Sequence, residues 1–352
     1  MHAPWKKMVQ PLFDTLGEQS MSRVHVFTHT DLDGIAAAAV YLRILKTKGY
    51  NLEKVSVHYA EPHNLPECLK GSIGKARDLE RVAIMDLGVN ASTLDKIIET
   101  IRSLPRNTKV EWYDHHKWNQ EWIEKVRKAG IELYLDTSTC ATEVVARHAL
   151  GGLDEDDHVW ELVKAACAAD LWIWDHRLAP YLYRITSGGR GARGDAWRRM
   201  LTLEFSECRF WSDSLQEVLE KYIDEELKGY AACLENHVIK TLPNGLKLAI
   251  VVKHPGPPNT SFVASYAMSR LSSDIVVVVK RDGALSLRSR AYDVREIAVC
   301  IGGGGHPRAS GARINVPLYV RILGFFFRKY LVKWIQNKVY TEIKRCCEKQ
   351  IA

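Results

Sequence analysis

The chain carries eight cysteines but no C-x-x-C pair, so the spacing of a zinc ribbon is missing. Their scatter does not suggest the disulfide framework of a small secreted domain, and Cys346 and Cys347 are too close in sequence for an ordinary bridge with each other. All eight read as buried or incidental thiols. Long apolar runs are also absent. A tempting apolar segment, Ile322 to Phe327, runs straight into Arg328 and Lys329, far short of the about 20 residues that span a bilayer. Lys6 and Lys7 are followed by a mixed stretch with Pro11 and Asp14 rather than by the apolar core of a signal peptide. The expectation is a cytoplasmic protein without stable membrane insertion. Internal repeats and low-complexity tracts are missing as well.

What is present is a globular balance, 46% hydrophobic and 26% charged over 352 residues, long enough for two domains. The net charge of +7 is uneven: from Leu318 onward there are eight basic residues against two acidic ones. A basic tail favours a polyanionic partner, although a solvated helix face has the same composition.

A weakly helical segment, Trp5 to Met21, precedes a change of character. Short apolar runs at Val24–Thr28, Lys54–Tyr59, Arg81–Met85, Val110–Tyr113 and Ile131–Leu135 read as strands. Helical spacing falls between several of them, at Ile35–Leu45, Ser92–Leu104 and Asn119–Ala129. This alternation predicts an α/β fold with a mainly parallel, doubly wound sheet. Two helices follow, Ala141–Leu150 and Asp157–Ala169. A mainly helical stretch from Leu178 to Lys240 contains the glycine-rich run Gly188–Gly194, read as a flexible connection. From Leu246 a second αβ pattern begins, with strands at Leu248–Val252, Ile275–Lys280 and Ala284–Arg290 and a helix at Ser261–Leu271; Asp282-Gly283 marks a hairpin. The expected organisation is residues 1–177 as the first domain, 178–240 as a helical linker, 241–316 as a smaller α/β domain across a cleft, and 317–352 as a basic amphipathic helix. Phe327, Leu331, Trp334 or Ile335, Val339 and Ile343 fit one face of that helix, which then packs on the protein or on a second copy in a homodimer.

The polar clusters follow the predicted strands, where open parallel sheets bind ligands. His29, Asp31 and Asp33 come after the first, Asp86 after the third, and Asp114-His115-His116 after the fourth; Asp170 ends a helical run. Asp136-Thr137-Ser138-Thr139 ends the fifth strand and is placed to cap the helix near Ala141. A single Asp after a strand is more often a cap or turn residue. Successive strand ends all carrying such residues are harder to explain that way. Crowded carboxylates cost several kcal/mol each unless a cation neutralises them. Asp and His without thiolate suit manganese, magnesium or iron better than structural zinc.

His29-Thr30-Asp31-Leu32-Asp33-Gly34, Asp86, Asp114-His115-His116 and Asp170 together resemble the four motifs of the DHH phosphoesterase superfamily. Ser286-Leu287-Arg288-Ser289 and Ile301-Gly302-Gly303-Gly304-Gly305-His306 resemble its associated C-terminal domain. The resemblance implies two Mn²⁺ ions, or Mg²⁺ or another divalent cation. Asp86 would bridge them, His29 and Asp31 would favour one, and Asp33, His115 and Asp170 the other. His116 would face the scissile phosphate and Asp114 would hold the histidine pair. Arg288, Ser289, Gly303, Gly304, Gly305 and His306 would bind substrate, the glycines as a backbone anion nest. One departure stands out. Members of the pyrophosphatase-like branch place a histidine four residues before the first Asp, where this chain has Phe27. His29 instead lies two before, where RecJ-like nucleases carry Asp. The implied activity is hydrolysis of short oligonucleotides or single-stranded nucleic acid from an end, by hydroxide activated between two ions. The alternatives are a phosphodiesterase of small nucleotides (a cyclic dinucleotide or 3′-phosphoadenosine phosphate), a polyphosphatase, or a degenerate scaffold that binds nucleic acid. The complete ligand set weighs against the last.

Overall fold

The computed structural model describes residues 23–73, 78–155, 157–188 and 192–351. The Trp5–Met21 helix and the centre of the Gly188–Gly194 run lie outside them. Contacts divide the chain into two compact units that meet in sequence at Leu219 and Glu220.

The first unit alternates β1 (Val24–Thr28), α1 (Leu32–Thr47), β2 (Val55–Tyr59), α2 (Leu65–Ile73), β3 (Arg81–Met85), α3 (Ala91–Arg102), β4 (Lys109–Asp114), α4 (Gln120–Lys128) and β5 (Glu132–Leu135). Helices α5 (Ala141–His148), α6 (Trp160–Asp170), α7 (Ala179–Thr186) and α8 (Ala192–Ser206) follow, and α9 (Asp213–Glu235) runs across the unit boundary. The five strands are all parallel, in the order β2-β1-β3-β4-β5. β1 and β3 are buried along their whole length, because helices cover both faces. Phe27, Val82, Ile84 and Trp112 pack on one face with Leu65, Leu69, Leu94 and Ile97. The alanines of α1, all buried, bring that helix close to the other face and let α5, α6 and α8 pack around it. The order in which successive strands are added reverses between β1 and β3, which opens a crevice at their carboxyl ends.

The second unit comprises β6 (His237–Thr241), β7 (Lys247–Lys253), α10 (Thr260–Arg270), β8 (Ile275–Lys280), β9 (Ala284–Ser289), α11 (Arg295–Cys300), β10 (Gly304–His306), β11 (Ala309–Arg313), α12 (Leu318–Phe326) and α13 (Arg328–Ile351). Its sheet, β10-β11-β9-β8-β7-β6, has one parallel pair, β7 with β8, and is otherwise antiparallel. The Asp282-Gly283 turn forms as read: Gly283 has φ +90°, and a Cβ there would meet Ile314 O at 2.2 Å.

Three expectations change. The stretch 178–240 is no linker, since α7 and α8 pack on α1 in the first unit while β6 is an edge strand of the second sheet. The basic tail is two helices broken at Phe327, and Leu331, Ile335, Val339 and Ile343 join the second unit's core whereas Phe327 is exposed. Four cysteines are paired, Cys140 with Cys167 and Cys300 with Cys346. Only tertiary folding brings these partners together across 27 and 46 residues, which local spacing does not reveal.

Candidate metal centre

The crevice between β1 and β3 gathers His29, Asp31, Asp33, Asp86, His115, His116 and Asp170. Their ligand atoms form three groups, His29–Asp31–Asp86, Asp86–His115–His116 and Asp33–His115–Asp170, each within 4.8 Å. Gly34 makes the first turn possible: a Cβ there would lie 2.5 Å from His29 O. Asp31 caps α1 by accepting from Gly34 N at 3.2 Å, which leaves its other oxygen 3.0 Å from His29 Nδ1.

Asp33 is held from far along the chain. Ala141 N donates to Oδ2 at 2.8 Å, Thr142 N to Oδ1 at 2.9 Å, and Thr142 Oγ1 to Oδ1 at 2.5 Å. The amino end of α5 is therefore capped by this buried carboxylate, not by the Asp136–Thr139 cluster; its N-cap, Cys140, makes no side-chain cap bond. Asp136 instead closes its own turn onto Ser138.

Asp86 leaves β3 with φ +54°, a conformation uncommon outside glycine and one that tends to mark functional positions. Its Oδ2 lies 3.5 Å from His29 Nδ1 and its Oδ1 3.4 Å from His115 Nε2, so the carboxylate faces both histidines. Oδ2 is buried and has no hydrogen-bond donor. His115 Nδ1 sits 3.0 Å from Thr139 O, which places the proton on Nδ1 and frees Nε2 as a ligand. Asp170 Oδ2 is 3.6 Å from the same ring. His116 Nδ1 is 2.7 Å from Asp114 Oδ1, and Trp118 Nε1 donates to Asp114 Oδ2 at 2.6 Å. Asp114 is thus fully buried and fully occupied in orienting His116.

The electrostatics of this group are frustrated. Burial, then the neighbouring carboxylates, push Asp33 and Asp86 above the ordinary carboxylate range, and burial lifts Asp170 to about 6. Burial alone would lower His115, yet Asp86, Asp33 and Asp170 raise it to about 10. Likewise burial opposes the charge on His29, but Asp31, Asp86 and Glu61 hold its pKa high. A divalent cation relieves both sides at once, replacing the protons that the cluster otherwise retains. The hard oxygens, two or three imidazoles and an undonated buried carboxylate oxygen fit such an ion.

One participant escaped the sequence reading. Glu61, just beyond β2, has Oε2 at 3.2 Å from His29 Nε2 and accepts from Thr30 Oγ1 at 2.7 Å. Nε2–H directed at Glu61 leaves Nδ1 facing Asp31 and Asp86. An acid two residues after a predicted strand was the available signal, but nothing linked it to His29. Phe27 is fully buried and stacks on His58, away from the ligand atoms.

In the second unit Arg288 and His306 share a row, because β9 and β10 each pair with Ala309 of β11. Two strand spacings put their backbones about 10 Å apart across that small residue. Arg288 is half-buried, and burial lowers its pKa. Ser289 does not join them. Strand alternation turns it to the opposite, buried face, where its hydroxyl donates to Asp274 O at 2.8 Å and accepts from Ala291 N and Tyr292 N. The glycine run is likewise not an open nest: Gly304 and Gly305 begin a strand paired with β11. A Cβ on Gly303 would lie 2.0 Å from Gly311 O and one on Gly305 2.7 Å from Ser310 Cα, so those two glycines serve strand contact, whereas Gly304 between them faces open space.

Residues 23–172 match the family model described as the DHH family, N-terminal domain. Over that segment the chain resembles the DHH family. It is 24% identical over 322 residues to oligoribonuclease NrnB of Bacillus subtilis (strain 168), covering 86% of this chain and 76% of that protein. It is 25% identical over 348 residues to a 3′,5′-cyclic-nucleotide phosphodiesterase of Helicobacter pylori (strain ATCC 700392 / 26695), covering 84% and 94%. Among solved structures, RecJ from Thermus thermophilus in complex with Mn²⁺ superposes with a TM-score of 0.54 at 16% identity, over 94% of this chain and 54% of that one.

Proposed function

We propose that the chain is a divalent-metal-dependent phosphodiesterase that hydrolyses short oligonucleotides or single-stranded nucleic acid from an end, with two Mn²⁺ as the preferred ions. The observation that carries this reading is Asp86, a buried carboxylate whose two oxygens face two different histidine–aspartate groups. His29, Asp31 and Asp86 would hold one ion; Asp33, Asp86, His115 and Asp170 the other. Bound there, such ions supply charge for the phosphoryl oxygens and acidify water.

The remaining work falls to the protein. Asp114 and Trp118 fix His116 so that its free Nε2 is presented to a phosphate oxygen or leaving group. Asp114 also raises the His116 pKa, which favours the protonated, hydrogen-bond-donating ring. Arg288 and His306 would grip further phosphates. The resemblance to NrnB favours an oligoribonucleotide substrate. A second reading, a cyclic or other small nucleotide, draws on the likeness to the cyclic-nucleotide phosphodiesterase.

The test is Asp86→Ala assayed with Mn²⁺ on RNA and DNA of 2 to about 24 nucleotides beside cyclic nucleotides. Hydrolysis should vanish while circular dichroism stays native. Full residual activity in that variant would remove the shared-ligand assignment, and cleavage of small nucleotides alone would end the oligonucleotide reading.

A further inference from the structure

Immediately after Asp170 the chain does something that core packing does not require. Trp172 and Trp174 both adopt φ +61°, a left-handed conformation that is an outlier for bulky side chains. Two such residues within three positions concentrate backbone strain beside a candidate metal ligand, as functional sites do. The strain does not serve to bury the Trp172 ring, and Trp174 is only half-buried. Trp172 is 42% exposed and Ile173 between them 57%.

The loop is nonetheless held. Leu171 N donates to Cys167 O at 2.9 Å and Trp172 N to Ala169 O at 3.2 Å; Ala168 O accepts from both Ile173 N and Trp174 N at 2.9 Å. The Trp172 and Trp174 rings meet edge to face at 4.9 Å and 77°, and Trp174 meets Tyr183 in the same manner at 5.5 Å. Each ring therefore braces the next, and a large aromatic surface is kept rigid at the solvent boundary. Asp170 places its carboxylate 3.6 Å from His115, and Trp172 lies only two residues further, within about 7 Å of chain.

We infer that Trp172 and Trp174 form a stacking platform for a nucleobase of the substrate, selecting nucleotide phosphodiesters over base-free ones. This rests on the phosphodiesterase reading above and narrows it. A base one sugar away from a phosphate at the centre meets a preordered π-surface, so stacking needs no reorganisation. Stacking tolerates every base, which suits a substrate read by length and phosphate rather than by sequence.

The experiment compares steady-state hydrolysis of a ribodinucleotide and of the same dinucleotide with one nucleoside replaced by an abasic residue. Trp172→Ala or Trp174→Ala should raise KM for the normal dinucleotide by roughly 5- to 150-fold, change kcat less, and leave the abasic compound within about twofold. Trp172→Phe should restore most of the loss. Equal losses on both compounds, or none on either, overturn the platform. If the unaltered protein cleaves no nucleotide phosphodiester, the functional reading fails separately. Tryptophan fluorescence titrated with AMP then decides the platform: quenching that Trp172→Ala removes supports it, and absence of quenching overturns it.

Discussion

Thr142→Val tests whether the amino end of α5 holds a metal ligand. The substitution keeps the side-chain shape and the backbone N–H bonds to Asp33 but deletes a hydroxyl that donates to Asp33 Oδ1 at 2.5 Å and to Asp33 O at 3.0 Å. A hydrogen bond to a charged partner is worth about 1.5–3 kcal/mol net. Without a cation, burial and the Asp86 and Asp170 carboxylates favour protonated Asp33, for which the donated bond matters less. With a cation bound, Asp33 must be ionised and the bond counts fully. The loss should therefore fall on metal affinity, by about 10- to 100-fold, which is the range that outer partners of metal ligands command. Isothermal titration with Mn²⁺ reads this directly, and thermal unfolding in EDTA should move less. Thr142→Ser keeps the hydroxyl and should bind nearly as the unaltered chain does. Mn²⁺ affinity in Thr142→Val within twofold of the original would refute the reasoning, because Asp33 would then not depend on this clamp.

Two further outcomes follow from the same geometry. Glu61→Ala frees His29 Nε2 and should weaken Mn²⁺ binding about tenfold; titration showing unchanged affinity would return Glu61 to the role of a surface acid. His58 concerns stability. Burial, with help from His25 and Arg199, lowers its pKa from 6.5 to about 3. The native ring stays neutral where the unfolded one takes a proton, so this contribution is intact above pH 6.5 and is lost progressively as pH falls from 6.5 towards 3. Between pH 7.5 and 5.0 it amounts to at most about 2 kcal/mol. Urea unfolding of His58→Gln in EDTA should lack that part of the slope; parallel slopes in the two proteins would contradict the assignment.

Local signals carried much of the fold. β1, β3 and β8 begin and end where the β-branched runs do, because strands buried on both faces are nearly uniform in character. What escaped was non-local or contrary to local pattern. β6 lay hidden in a helical stretch, since the edge strand His237–Thr241 is half-exposed and has β7 as its one strand partner among the described residues. The glycines of β10 suggest an anion nest because glycine disfavours strands, yet at Gly303 and Gly305 only glycine fits against the neighbouring backbone. The resemblance of Ser286-Leu287-Arg288-Ser289 places Ser289 with Arg288, whereas adjacent strand residues point to opposite faces. At the candidate centre, residue types and order marked the residues that the fold brings together. The partners that orient them, Thr139 O for His115, Glu61 for His29 and Thr142 for Asp33, lie 24, 32 and 109 residues away, and no spacing rule connects them.

The clamp on Asp33 makes the centre a clasp between distant parts of the first unit. The candidate ligand carboxylate at the start of α1 is held only when the start of α5 has docked, so the unfolded chain would have no equivalent site. Were a cation to bind there, binding and folding would be one linked equilibrium, and the ion at a hundredfold excess over its dissociation constant would add about 2.7 kcal/mol to stability. Metal supply would set the lifetime of the folded unit as well as its chemistry.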